Sequence, residues 1–157
     1  TFLKRKPWEE SVRVPGILRW PAGFRGGWKS DAPFSHVDVV PTLLGLAGAG
    51  RRLSGFDYSN LLRGRNRRTP EYAHLAIHTR TELNEFGPWR GVRTRRYKYA
   101  RFREKPWLLH DLERDPFEME NLAAARPDVV SRFDREIERH MRRTGDRWDE
   151  LGDRPFR

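Results

Sequence analysis

Hydrophobic and polar positions change their period along the chain, and the changes mark the elements. From Val12 to Trp20 β-branched and apolar residues crowd together, with Val14-Pro15-Gly16-Ile17-Leu18 at the centre, and the run stops at Pro21-Ala22-Gly23. This predicts a buried strand followed by a turn. Residues 24–33 mix glycine and proline with polar residues and predict a loop. Ser35 to Gly48 then predicts a helix whose apolar face is Val39, Val40, Leu43, Leu44, Leu46 and Ala47, with Gly48 as its stop. Ser35 and Asp38 have the spacing of a capping box. Pro41 favours Asp38 as the N-cap, because a proline in the first turn gives up no helical hydrogen bond.

The second half reads differently. Residues 50–70 are rich in Arg, Gly and Asn, and Arg63-Gly64-Arg65-Asn66-Arg67-Arg68 predicts a solvated boundary. As a nucleic-acid patch that run lacks interleaved aromatics. Four short strand-like runs follow: Tyr72 to Thr79, Trp89 to Thr94, Tyr97 to Phe102 and Trp107 to Leu112. Turn residues separate them, which predicts an antiparallel meander. The alternation is imperfect, since Arg96 and Lys98 share a face with Val92 and Phe102. At least one strand is therefore expected at an edge, or packed only by basic stems. Val130, Phe133, Ile137 and Met141 then recur at helical spacing, with Pro127 at the start and Gly145 at the end. One amphipathic helix on a four-stranded sheet makes a two-layer α+β unit. The division expected is 1–66 and 67–157.

Composition narrows the partners. The chain has 157 residues, 36% hydrophobic and 34% charged, and its six Trp, nine Phe and four Tyr can anchor a core. Its net charge of +10 attracts polyanions. The 32 basic residues are spread along the chain, however, as on a solvated surface, so neither nucleic acid nor membrane is expected as a partner. No cysteine is present, which excludes disulfides, thiolate metal sites and a cysteine nucleophile within these residues. No apolar run is long enough to make a membrane-spanning helix. His74 and His78 are four apart on a strand-like run. Their side chains would share a side about 13 Å apart, too far for one metal, and no metal site is assigned.

Four segments carry a resemblance. Lys4-Arg5-Lys6-Pro7-Trp8-Glu9 opens the chain, and Ser35-His36-Val37-Asp38-Val39-Val40-Pro41-Thr42-Leu43-Leu44 follows. Gly91-Val92-Arg93-Thr94-Arg95-Arg96-Tyr97-Lys98-Tyr99 is the third. The fourth runs from Leu108-Leu109-His110-Asp111-Leu112 through Asp115-Pro116 to Asn121-Leu122. In this order they resemble the sulfatases of the alkaline-phosphatase-like superfamily, arylsulfatase type, over nearly the whole chain. His110 stands where the family usually has tyrosine. The resemblance implies the C-terminal portion of an alkaline-phosphatase-like α/β catalytic domain, followed by an α+β subdomain with a four-stranded antiparallel sheet on one long helix.

The resemblance also implies chemistry. Sulfate-ester hydrolysis needs positive charge on the equatorial oxygens and stabilisation of the leaving oxygen. Lys4 is the expected catalytic residue. Lys6 competes for the role, but the Trp8-Glu9 pair sets the register on Lys4. Glu9, Ser11 and Arg13 are expected to hold the segment in place. Trp89 and Arg90 are the expected substrate-binding rim, one stacking on a ring and the other pairing with an anionic substituent. A packing tryptophan at a turn-to-strand junction is the competing reading of Trp89. The family's formylglycine, made from Cys or Ser in a Cys/Ser-x-Pro-x-Arg setting, and its calcium ion have no matching residues here. Both are expected in an N-terminal part that precedes Thr1, and these residues alone are expected to be inactive. The expected substrate is a sulfated small molecule or sugar. Family habit places such enzymes in the periplasm or outside the cell. A related phosphonate or phosphodiester hydrolase is the alternative enzyme, and a basic polyanion-binding module is the alternative from another class.

Overall fold

A strand is stable only where a neighbour takes its N–H and C=O groups. The computed structural model describes residues 5–51, 53–78 and 87–148, which group into two compact units, 15–73 and 5–14 together with 74–148. The expectation for Val12 to Trp20 is corrected. Val12 ends a short helix, α1 (Glu9–Val12), and residues 13–20 pair with no strand among the described residues. Without a ladder, its apolar side chains stay in solvent, Ile17 at 93% exposure. The expected boundary at 66/67 lies ahead of the observed division at Ala73/His74, and residues 5–14 stand with the C-terminal unit.

In the unit of residues 15–73, the expected helix forms as a 3₁₀ turn (His36–Asp38) running into α2 (Val39–Leu46). Asp38 turns its carboxylate backward, accepting from the Ser35 N–H (2.8 Å), and also accepts from the Phe56 N–H (2.7 Å). It thereby ties the start of the helix to the chain before α3 (Ser59–Leu62). Tyr58 lies between Phe34 and Phe56 and donates its hydroxyl to Pro33 O at 2.6 Å. The buried side of α2 is Pro41, Thr42 and Leu46, whereas Val40 and Leu43 remain exposed.

In the other unit, β1 (Ala73–Ile77), β2 (Trp89–Arg93), β3 (Tyr97–Arg101) and β4 (Pro106–Asp111) form one sheet in chain order. The β2–β3 and β3–β4 pairs are antiparallel, with Val92 opposite Tyr99 and Tyr99 opposite Leu109. All four strands match the expected runs, although Thr79 lies outside the described residues. Gly91 is required where β2 meets β3, because a Cβ there would sit 2.6 Å from Tyr99 O. The long helix α4 (Pro127–Thr144) starts on Pro127 and ends at Gly145, whose φ of 70° suits a residue without a Cβ.

Side-chain alternation sorts the sheet into two faces. Val92, Tyr99 and Leu109 lie on the α4 side, where Phe133 stacks against Tyr99 with centroids 6.0 Å apart. Trp89, Lys98, Ala100 and Leu108 lie on the opposite face. There Trp89, Ala100 and Leu108 form a core joined by Trp8, Leu75, Ile77, Phe102 and Trp107. The second face is therefore covered by residues 5–12, which make a third layer over the expected two. Edge strands exist in β1 and β4, but β3, which carries Lys98, lies between β2 and β4 with both faces buried. Lys98 is wholly buried.

Candidate functional site

The segment that follows the expected catalytic lysine is held at every turn. Lys4 itself lies outside the described residues. Arg5 accepts the Trp89 indole N–H on its carbonyl at 2.9 Å. Lys6 lies over the Trp8 ring, Pro7 is fully buried, and Trp8 meets Trp107 edge-on with centroids 5.5 Å apart. Glu9 takes Arg93 bidentately, at 3.1 and 3.2 Å, and approaches Lys98 Nζ at 3.4 Å. Its own N–H donates to Glu118 Oε2 at 2.8 Å. Burial alone would raise the Glu9 carboxyl, but Arg93 and Lys98 outweigh it and hold it below its usual range. For Lys98 burial is the larger effect and lowers its pKa, opposed by the Glu118 and Glu9 carboxylates.

Trp89 and Arg90, the expected substrate rim, both point into the unit, on opposite faces of β2. Stacking on a sugar needs a free ring face, and Trp89 is 2% exposed within the core. Pairing with an anion needs a free N–H. Arg90 spends all five of its donors internally. Nε and Nη2 grip Asp146 (2.5 and 2.7 Å), Nη1 donates to Ile77 O and Trp89 O, and Nη2 also reaches His78 Nδ1 at 2.9 Å. The guanidinium lies over the Trp148 ring at 4.8 Å.

Arg90 also lines a cleft of about 510 Å³ beside the C-terminal half of α4, together with His74, His78, His140 and Asp146. His74 and His140 stack face to face, with centroids 3.6 Å apart and planes 12° from parallel. Glu136 Oε1 lies 3.3 Å from His74 Nε2. Burial, together with the Arg143 charge, lowers the His74 pKa to about 4. Burial, His74 and Arg143 do the same to His140, also to about 4, against Asp146 and Glu136. His78 is lowered by burial and by Arg90, which fits its Nδ1 accepting a hydrogen bond. Burial pushes Asp146 up, but Arg90 reverses the shift and keeps it ionised.

Sequence reasoning assigned Glu9 its holding role but missed Lys98 and Glu118, which complete it. The misplaced lysine in the β3 alternation was the available signal. His110, in the usual tyrosine position, is buried and donates from Nδ1 to Glu120 O at 2.7 Å. Asp111 pairs with Arg96 at 3.0 and 2.7 Å and accepts the Arg114 N–H on its carbonyl at 3.1 Å. Asn121 bridges to β4, accepting from the Leu109 and Ala123 N–H groups and donating to Trp107 O.

The residues present do not fit either group that the family resemblance implies. There is no cysteine and no serine in a Ser-x-Pro-x-Arg setting. Among the described residues no group of three His, Asp or Glu side chains could hold a metal ion.

Comparison with known proteins agrees with this architecture. The family model for N-sulphoglucosamine sulphohydrolase, C-terminal, matches residues 1–144. The chain is similar to an ulvan-active sulfatase of Formosa agariphila, 32% identical over 128 residues, which are 77% of this chain and 24% of that protein. It thus spans about a quarter of that relative's length. A structure solved in complex with its substrate D-glucosamine-2-N,6-O-disulfate superposes with a TM-score of 0.78 at 23% identity, over 96% of this chain and 32% of that one. The phosphonate monoester hydrolase of Agrobacterium radiobacter superposes at 0.51 and 23% identity, over 70% of this chain and 25% of that one. At such identities the two structures speak for the fold, which is alkaline-phosphatase-like. With the family match covering nearly every residue, the chain belongs to the sulfatase family and carries its C-terminal part.

Proposed function

We propose that these residues form the C-terminal part of an enzyme that hydrolyses sulfate esters, with Lys4 contacting the sulfate. The observation that carries this reading is the family match over residues 1–144. The geometry supports it, because the residues after Lys4 are pinned onto the sheet by Trp89, Arg93 and Lys98. A lysine that must meet a transferring group gains from such preorganisation, since a misplacement of about 1 Å costs on the order of 100-fold in rate. Trp89 enters this reading through the Arg5 carbonyl that its indole N–H holds. The substrate class is a sulfated sugar or small sulfate ester, supported by the substrate in the similar structure and by the name of the ulvan-active relative. Formylglycine and calcium would be supplied from outside these residues. These residues alone would turn over no sulfate ester.

The test is Lys4→Ala in the full-length protein, assayed on an aryl sulfate, a sulfated glucosamine and a phosphonate monoester. Turnover of the sulfate esters should fall by about 100-fold or more, as for loss of a group that stabilises transition-state charge. Unchanged kcat in the variant removes Lys4 from the reaction. Unmodified protein that prefers the phosphonate ester moves the reading to the related hydrolases, with which it shares the fold.

A further inference from the structure

Three of the segments that carry the family likeness meet in one buried charge cluster. Glu9 comes from the opening segment, Lys98 from β3, and Glu118 from the loop that begins at Asp115-Pro116. Lys98 Nζ contacts Glu118 Oε1 and lies 3.4 Å from Glu9 Oε1, and Arg93 closes the cluster on Glu9. The Lys98 and Glu118 side chains are 0% and 2% exposed. Two acids face two bases, so the cluster is neutral overall.

Glu118 does more than balance charge. Its second oxygen takes the backbone N–H of Glu9, a residue from the other end of the chain. It does so from a left-handed backbone with φ of 57°, which is costly for a residue with a Cβ. Glycine would relieve that strain, but it would lose the carboxylate. Asp115 holds the loop in this shape, accepting from the Glu118 N–H on its carbonyl (3.2 Å) and from the Glu120 N–H on its side chain (2.8 Å). The neighbours Phe117 and Met119 point into solvent, so Glu118 is the loop's inward anchor.

We infer that Lys98 and Glu118 are positioning residues that fix the backbone from Arg5 to Val12, and so set where the adjoining lysine is presented to the sulfate. This inference rests on the sulfatase reading above. A buried ion cluster that only holds the fold could be exchanged for neutral groups with little local consequence. A positioning cluster, when altered, loosens one segment and lowers turnover while the rest of the unit stays closed.

The experiment uses the full-length protein with Lys98→Met, Glu118→Gln and the double variant. Amide deuterium uptake is followed in peptides covering 5–13 and 127–144, alongside kcat and KM on an aryl sulfate. Lys98→Met leaves two facing carboxylates, and uptake over 5–13 should rise about tenfold while the α4 peptide is unchanged. Glu118→Gln keeps an oxygen for the Glu9 N–H but leaves a surplus positive charge, so a rise of about threefold is expected. The double variant restores charge balance and should recover part of the protection and part of kcat. If Lys98→Met opens α4 as well, Glu118→Gln and the double variant decide the matter. Unchanged uptake over 5–13 in those two overturns the inference, as does a rise shared equally by the α4 peptide. Lys4→Ala separates the two ideas. If the segment loosens but Lys4→Ala keeps full kcat, the lysine assignment and the link to turnover both fail, and only the local clamp stands.

Discussion

The stacked histidines make the stability of the C-terminal unit fall in mild acid. His74 and His140 both have pKa values of about 4 in the folded protein, against 6.5 when unfolded. Above pH 6.5 neither state binds the protons, and folding is indifferent to them. Between 6.5 and 4 the unfolded chain takes them up and the folded one does not, so stability falls as pH falls. Below 4 both states are protonated and the loss stops growing. A pKa lowered from 6.5 to about 4 corresponds, before screening, to about 3.4 kcal/mol per histidine. His140 is only partly buried, and Glu136 and Asp146 stand ready to neutralise a first proton. Allowing for screening and for these acids, the pair should cost about 3 kcal/mol in total across this window. The carboxyl groups of Glu9, Asp111 and Asp146, held below their usual range, lose their contributions only at lower pH, below about 4.5. Urea unfolding at pH 7.5, 6 and 5 and constant ionic strength therefore reads the histidines, among which His78, also lowered, adds in the same direction, and a variant separates the stacked pair. His140→Phe keeps an aromatic partner for His74 but removes one proton site, and its profile should be flatter than wild type by about 1–2 kcal/mol between pH 7.5 and 5. Parallel profiles for the two proteins, or wild type gaining stability toward pH 5, would refute the reasoning.

Two further changes probe the packing. Phe133 is fully buried against Tyr97 and Tyr99, and Phe133→Ala should cost about 3–5 kcal/mol in chemical denaturation, from lost burial plus a cavity. Asn121→Ala removes two hydrogen bonds to β4 and a third, to the Ala123 N–H, within the turn itself, and should lower stability by about 1–3 kcal/mol by the same measurement.

The C-terminal unit was legible wherever its signals were local. The helical spacing from Val130 to Met141 places α4, and Pro127 and Gly145 bound it, because each acts on its own turn. The four strands follow from β-branched and aromatic runs between turn residues. Lys98 shows where local reading ends. On a strand it looked like an edge residue, and only the approach of Glu9 and Glu118, from opposite ends of the chain, makes a buried ammonium tolerable. Trp89 and Arg90 depend on distant partners in the same way. Their residue types suit a rim, but the Arg5 carbonyl and the Asp146 carboxylate meet them inside the unit.

By itself, the sequence determined the family, the order of β1 to β4 and α4, and the apolar face of α4, since these depend on residue type and short-range spacing. Tertiary structure alone decided which charges are buried, which histidines stack, and whether residues 13–20 become a strand. Each of those outcomes depends on what a distant segment brings into contact, and a strand without a partner has nowhere to place its backbone hydrogen bonds.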